Sequence, residues 1–263
     1  MLNLAFFDKL AVYTLTSMIT DKLKLAWQNT IAALIPCPCA LCRADSREVI
    51  CEACRLGYFT QTLPRCSQCA LPLPPHASTS RCGDCLSNPP AFSQTITVCD
   101  YAAPQDQLVL ALKFGHDLAL APWFASMLRE SILQQREFEL PQLLCAVPLG
   151  RRRLAERGFN QAQEIARPLS KQLGIPLGLH VLQRSRDTAM QSSLPNAARA
   201  ANVKQAFCLA ADMTDKIRGM HIGVVDDVMT TGMTMHEIAT MLKRFGAAKV
   251  SAYVFARTLP HLS

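Results

Sequence analysis

Residues 222–234 read IGVVDDVMTTGMT: an apolar run ends in two adjacent carboxylates, Asp226 and Asp227, and a hydroxyl-bearing loop, Thr230, Thr231 and Gly232, leads on to Thr234. Thr234 with Glu237 three residues later has the form of a capping box, which predicts a helix N-terminus beside the loop. Backbone N–H groups without helical partners attract an anion there, and a glycine lets that anion come close to the chain. The loop is not a P-loop, because no lysine follows the glycine, and a single glycine does not make a dinucleotide fingerprint. Two carboxylates beside a phosphate would repel it unless they face something else. Vicinal sugar hydroxyls fit, since a carboxylate accepts O–H bonds while the loop holds a phosphate one sugar away. The ligand implied is a ribose 5-phosphate. A plain turn followed by a helix entry uses the same residue types, so the loop by itself leaves both readings open.

A second chemistry lies upstream. Eight of the twelve cysteines form four C-x-x-C pairs, Cys39/Cys42, Cys51/Cys54, Cys66/Cys69 and Cys82/Cys85. Each knuckle aims two thiolates at one point, and two knuckles make a tetrahedral zinc site. We expect two structural zinc ions, one held by Cys39, Cys42, Cys51 and Cys54, the other by Cys66, Cys69, Cys82 and Cys85. Cross-braced ligation and a single site remain open alternatives. Zinc thiolates point to a reducing compartment and hence the cytoplasm. Cys99, Cys145 and Cys208 sit among apolar neighbours and read as small core residues. Cys37 is a spare thiol or a substitute ligand.

Charge is concentrated rather than spread. Of the net +7, residues 150–204 carry ten Lys and Arg against three Asp and Glu, an excess equal to the whole net charge. A local basic field beside a binding loop suggests an anionic ligand or nucleic acid. No apolar run approaches the roughly 18 residues a membrane span needs. A signal peptide is a weaker account of residues 1–36, because no small-residue cleavage pattern follows the apolar stretch.

The elements that must position these residues follow from periodicity. Residues 37–90 are rich in Cys, Pro and Ser and show little apolar pattern, so metal must replace a core there. Beyond Phe92 the chain alternates. TITVCDY, LLCAVPL, HIGVVD and AKVSAYVFA read as strands; QDQLVLALKF, LALAPWFASMLRESIL, GFNQAQEIARPLSKQL and residues 235–245 read as helices, with Pro168 placed to kink the third. That succession predicts an α/β fold, a mostly parallel sheet with helices on its faces. The expected divisions are an N-terminal extension over 1–36, mobile, dispensable or outside the native protein, a zinc-binding module over 37–90, and an α/β domain over 91–263.

At this point the residues resemble a known family. VVDDVMTTGMT looks like the phosphoribosyl-pyrophosphate (PRPP) loop of type I phosphoribosyltransferases. VPLGRRRLAERGFNQA (147–162), LQRSRDTAMQSSL (182–194), RAANVKQAF (199–207) and the four C-x-x-C pairs resemble the ComF family of competence proteins, especially its GntX-type members. The likeness runs from about Cys39 to Leu259. It implies a type I phosphoribosyltransferase-like domain preceded by a double zinc-ribbon-like module. By the same resemblance Asp226 and Asp227 bind ribose hydroxyls, and Thr230, Thr231, Gly232 and Thr234 line the 5-phosphate loop. Arg151, Arg152, Arg153 and Arg157 become candidate pyrophosphate contacts, and Asn160 and Gln161 belong to the RGFNQ string. Arg184, Gln191, Arg199 and Asn202 become candidates for a hood over the site, and Lys113 fits the family pattern.

The chemistry implied is displacement of pyrophosphate from the ribose by a nitrogen nucleophile, with Mg²⁺ accompanying PRPP and arginines stabilising the leaving charge, so no catalytic side chain is assigned. The family likeness implies a role in DNA uptake or utilisation, with single-stranded DNA and competence-machinery proteins as partners. No acceptor-base pocket is recognisable in the sequence. A phosphoribosyltransferase and a non-catalytic PRPP-, nucleotide- or single-stranded-DNA-binding adaptor both stay open. If DNA binds, residues 150–204 suit it better than the cysteine region, where Tyr58 and Phe59 are the only aromatic residues suited to base stacking.

Overall fold

Two strands that are buried almost throughout form the centre of the sheet. In the computed structural model, which describes residues 37–60, 63–135, 139–184 and 206–260, these are β7 (His221–Met229) and β8 (Lys249–Arg257). Strands covered on both faces read as continuous apolar runs rather than alternating ones, and VSAYVFA and HIGVV do so. On either side lie β3 (Gln94–Asp100), which pairs with β8, and β4 (Leu143–Ala146), which pairs with β7. All three pairings are parallel, and the order is β3-β8-β7-β4. Gly223 marks a close approach: a Cβ there would come within 2.6 Å of atoms of Tyr253 and Leu144.

Helices supply the crossovers. α3 (Gln105–Phe114) and α4 (Leu120–Leu133) follow β3; α5 (Arg151–Arg157) and α6 (Gln161–Leu173) follow β4; α7 (Met233–Arg244) joins β7 to β8. The core lies where Phe124 stacks on Phe255, with ring centroids 3.6 Å apart and Trp123 edge-on to both. Pro168 sits inside α6. The antiparallel pair β5 (Leu182–Arg184) and β6 (Phe207–Leu209) brackets residues 185–205. Both are too short to announce themselves in the sequence.

The cysteine region has its own short elements: β1 (Cys37–Pro38) pairs antiparallel with β2 (Asp45–Ser46), α1 spans Glu52–Phe59 and α2 spans Gly83–Ser87. The chain divides into two compact units between Arg55 and Leu56. Cys39, Cys42, Cys51 and Cys54 belong to the first, and Cys66, Cys69, Cys82 and Cys85 to the second with the sheet. The N-terminal extension lies outside the described residues. Cys99 and Cys145 are core residues as expected, whereas Cys208 on β6 is half-buried. No described helix is long and apolar enough to cross a membrane.

Candidate functional site

In a parallel sheet the carboxyl ends of the strands gather the loops, and ligands bind there. β4 and β7 are neighbours in register, with Ala146 opposite Val225. The chain leaving β4 and the Asp226–Asp227 pair on β7 are therefore adjacent. Val147 N donates to Val225 O at 2.9 Å, continuing the ladder one residue beyond the strand.

Asp226 and Asp227 fall in the last half of β7, with their carboxyl groups close enough to interact with each other. Asp227 is 3% exposed. Its Oδ2 forms an ion pair with Lys113 Nζ at the end of α3, and its Oδ1 accepts a hydrogen bond from Gln161 Nε2 at 3.4 Å. Arg157 Nη1 donates to Gln161 Oε1 at 2.6 Å, and its guanidinium lies 5.1 Å from the centre of the Phe114 ring. Asn160 caps α6, accepting from Ala162 N at 3.0 Å, and donates from Nδ2 to Val147 O at 3.0 Å. The RGFNQ string thus does structural work around the carboxylates. Gly158 turns the chain at φ +79, Asn160 pins the helix to the loop after β4, and Gln161 relays Arg157 to Asp227.

Asp226 Oδ1 accepts from the Asp227 backbone N–H at 2.9 Å. Burial, and next the negative charge of Asp227, hold its carboxyl well above the usual carboxylate range, only partly opposed by Lys113. Burial also pulls the Arg157 guanidinium below its ordinary value, against the pull of the two carboxylates. The site thus keeps ionisable groups in a costly environment, as functional sites do.

The loop beyond is a helix entry, but not the one the capping pattern predicts. The N-cap of α7 is Gly232, at φ +80, and Thr234 lies inside the first turn. A left-handed glycine makes the turn into the helix at once, so the hydroxyl cap two residues later is bypassed. Thr231 Oγ1 accepts from Met233 N at 3.4 Å. Thr230 and Thr234 stand on either side of Gly232, in the loop and on the helix respectively.

The arginines after β4 lie on a helix rather than in an open loop. Gly150 is the N-cap of α5, and Arg151, Arg152 and Arg153 form its first turn. Arg151 is exposed, and Arg152 Nε bonds Glu156 at 2.8 Å. Arg153 Nη2 is buried and finds no hydrogen-bond partner among the described residues. Arg184 ends β5, 5.3 Å above the Phe207 ring. Gln191, Arg199 and Asn202 lie outside the described residues.

The eight knuckle cysteines form two tetrads in chain order, Cys39/Cys42/Cys51/Cys54 and Cys66/Cys69/Cys82/Cys85, with the four sulfurs of each within 4.8 Å of one another. Their local geometry repeats. Arg43 N donates to Cys39 O at 2.9 Å and Ala70 N to Cys66 O at 2.8 Å, with both donors left-handed at φ 65 and 59. Cys51 N donates to Cys39 Sγ and Cys82 N to Cys66 Sγ, each at 3.3 Å. The Cys42–Cys51 and Cys69–Cys82 sulfurs are each 3.6 Å apart. Sulfurs bound about 2.3 Å from one zinc ion sit about 3.8 Å from each other, so both tetrads fit the metal. Cys37 stands apart, its Sγ 3.5 Å from Glu48 O. Burial acts to raise the thiols of Cys39, Cys54 and Cys66, yet backbone N–H donors bring Cys39 down to about 6 and Cys66 to about 7, while Cys54 is pushed up to about 12. Four thiols this close do not all ionise without a cation among them. The tetrads can hold structural zinc.

The phosphoribosyl transferase domain family matches residues 156–259. The chain is 38% identical over 231 residues to the DNA utilization protein YhgH of Salmonella typhimurium, covering 86% of this chain and 99% of the relative. It is 28% identical over 225 residues to Competence protein F of Haemophilus influenzae, covering 83% and 96%. Among solved structures, a glutamine PRPP amidotransferase from B. subtilis aligns with 52% of this chain and 26% of its own, at 19% identity and a TM-score of 0.35.

Proposed function

We propose a function for this chain, which belongs to the ComF family of competence and DNA-utilisation proteins: it binds PRPP, or another ribose 5-phosphate, at the carboxyl end of β7 and acts in DNA uptake or utilisation. One observation carries the reading. Two carboxylates, one more than nine-tenths buried and held by Lys113 and Gln161, stand six and five residues ahead of a left-handed glycine that opens a helix N-terminus. In this reading Asp226 and Asp227 accept the ribose hydroxyls, and the backbone N–H groups and hydroxyls of Thr230, Thr231, Gly232 and Thr234 take the 5-phosphate. Arg153, with its buried donor, and Arg157 face the pyrophosphate, and Arg151, Arg152 and Arg184 add to the same positive field.

Mg²⁺ accompanying PRPP would offset pyrophosphate charge; everything else in the account is done by the chain's own groups. Two zinc ions at the tetrads complete the protein, with residues 37–90 as the zinc-binding module and 91–263 as the phosphoribosyltransferase-like domain. Thiolate-bound zinc supports a reducing compartment, the cytoplasm, as its place of action. Single-stranded DNA and competence proteins are the partners this role requires.

Transfer to a nitrogen acceptor is the enzymatic form of the proposal. Pyrophosphate release from PRPP with a panel of bases, with and without single-stranded DNA, tests it. Release dependent on Asp226 and Asp227 establishes turnover. Saturable PRPP binding without release, abolished by the double Asn variant, establishes a binding protein instead.

A further inference from the structure

Among the described residues, Arg257 is a heavily committed buried side chain. It ends β8, is 5% exposed, and its guanidinium donates four hydrogen bonds. Nε donates to Cys69 O at 2.8 Å; Nη1 donates to Met229 O at 3.1 Å, to Thr230 O, and to Thr258 O at 2.7 Å. One acceptor is therefore a metal-ligand residue of the second tetrad, and two belong to the loop before Gly232. A planar guanidinium with fixed donors holds such carbonyls at set angles, which a flexible ammonium does not.

A second route joins the same two places. Gln68, between Cys66 and Cys69, is 5% exposed and donates from Nε2 to Pro90 O and Phe92 O, each at 3.1 Å. The Phe92 ring faces Gly232, since a Cβ on that glycine would lie 3.6 Å from Phe92 Cζ. Ala91 N donates to His236 Nδ1 on α7 at 3.2 Å. The knuckle at Cys66–Cys69 is thus linked to one side of the turn that opens α7 through Arg257, and to the other through residues 90–92. A buried guanidinium also needs countercharge, and four thiolates around one zinc ion carry a net charge of −2.

We propose that Arg257 and Gln68 are positioning residues through which zinc at Cys66, Cys69, Cys82 and Cys85 sets the conformation of the 229–232 loop, so that metal occupancy of this one tetrad governs how tightly the loop takes a phosphate. The inference rests on the zinc and ribose-phosphate readings above and adds a dependence between them. Zinc fixes the turn that presents the Cys69 carbonyl; that carbonyl and the Met229 and Thr230 carbonyls share one guanidinium. When the turn loosens, the loop carbonyls lose a fixed donor and the cradle of N–H groups at Gly232 is no longer preorganised.

Hydrogen exchange on the full-length protein, read at amides 229–236 with β4 as internal reference, tests this alongside zinc content and titration with PRPP and Mg²⁺. Four proteins are compared: wild type, Cys82→Ser with Cys85→Ser, Cys39→Ser with Cys42→Ser, and Arg257→Lys. Loss of the second tetrad's zinc and Arg257→Lys should each speed exchange at 229–236 while β4 stays protected, and each should weaken PRPP about tenfold or more. Arg257→Lys should keep both zinc ions. Combining it with Cys82→Ser and Cys85→Ser should add little, because the two act on one connection. The first-tetrad variant should leave the loop unchanged. Wild-type exchange at 229–236 after loss of the second zinc overturns the proposal, as does equal loosening of β4 or loss of zinc in Arg257→Lys. If wild type fails to bind PRPP yet the exchange pattern appears, the ribose-phosphate reading falls and the coupling stands.

Discussion

Asp226→Asn should make the protein more stable at neutral pH and worse at binding PRPP. In the folded protein the Asp226 carboxyl is held well above its ordinary 3.8 by burial first and by the charge of Asp227 second. Between 3.8 and that raised value the native protein keeps a proton that the unfolded chain has released. Stability therefore falls as pH rises through this window, with a limiting slope of about 1.4 kcal/mol per pH unit for one group. Asn cannot ionise, and its Oδ1 still accepts the Asp227 N–H that Asp226 Oδ1 accepts at 2.9 Å. The variant should match wild type below about pH 4 and gain on it steadily above. PRPP affinity should also fall, because hydroxyl donors from the ribose favour the ionised form of Asp226, and a hydrogen bond to a charged acceptor is stronger than one to the neutral amide of Asn. Urea unfolding at intervals from pH 4 to pH 8, with calorimetric titration at pH 7.5, reads both effects. Parallel stability curves for the two proteins would refute the argument, since Asp226 would then ionise alike in both states.

Further outcomes follow from neighbouring residues. Gly232→Ala should cost about 1–2 kcal/mol in urea unfolding, because φ is +80 there, while its Cβ would meet Met229 Sδ and Phe92 Cζ at an ordinary 3.6 Å. PRPP affinity should fall with it. Lys113→Met leaves the buried Asp227 carboxylate with Gln161 as its remaining side-chain partner and should destabilise by about 2–3 kcal/mol, read by urea midpoint. Metal analysis of purified protein should find two zinc ions per chain, and a chelator strong enough to strip them should lower the melting temperature; a zinc-free native protein would refute the metal assignment.

The main strands and helices were legible because their patterns are local. HIGVVD and AKVSAYVFA lie within β7 and at β8, and QDQLVLALKF matches α3 residue for residue. The cysteine tetrads were legible because C-x-x-C spacing fixes each knuckle by itself. The roles of Gln161 and Arg257 were not, since their partners are 66 and 188 residues away. Gln161 reads as one more polar residue at a helix start until β7 and α6 are side by side. The capping box failed for a physical reason: Thr234 and Glu237 have the right spacing, but a glycine able to adopt φ +80 two residues earlier makes the turn first. The short helix α5 was not legible either: no apolar period marks RRRLAER, and Arg151, Arg152 and Arg153 form its first turn with Gly150 as the N-cap.

The central claim is that paired carboxylates read vicinal ribose hydroxyls next to a phosphate cradle. Comparing ribose 5-phosphate with 2-deoxyribose 5-phosphate by calorimetric titration into the wild-type protein tests it most directly, because the phosphate is common and one hydroxyl differs. Ribose 5-phosphate should bind at least about tenfold more tightly, the cost of leaving a buried charged acceptor without its donor. Asp226→Asn combined with Asp227→Asn should erase most of that preference. Equal affinity for the two sugars, or no binding of either at millimolar concentration, would contradict the account.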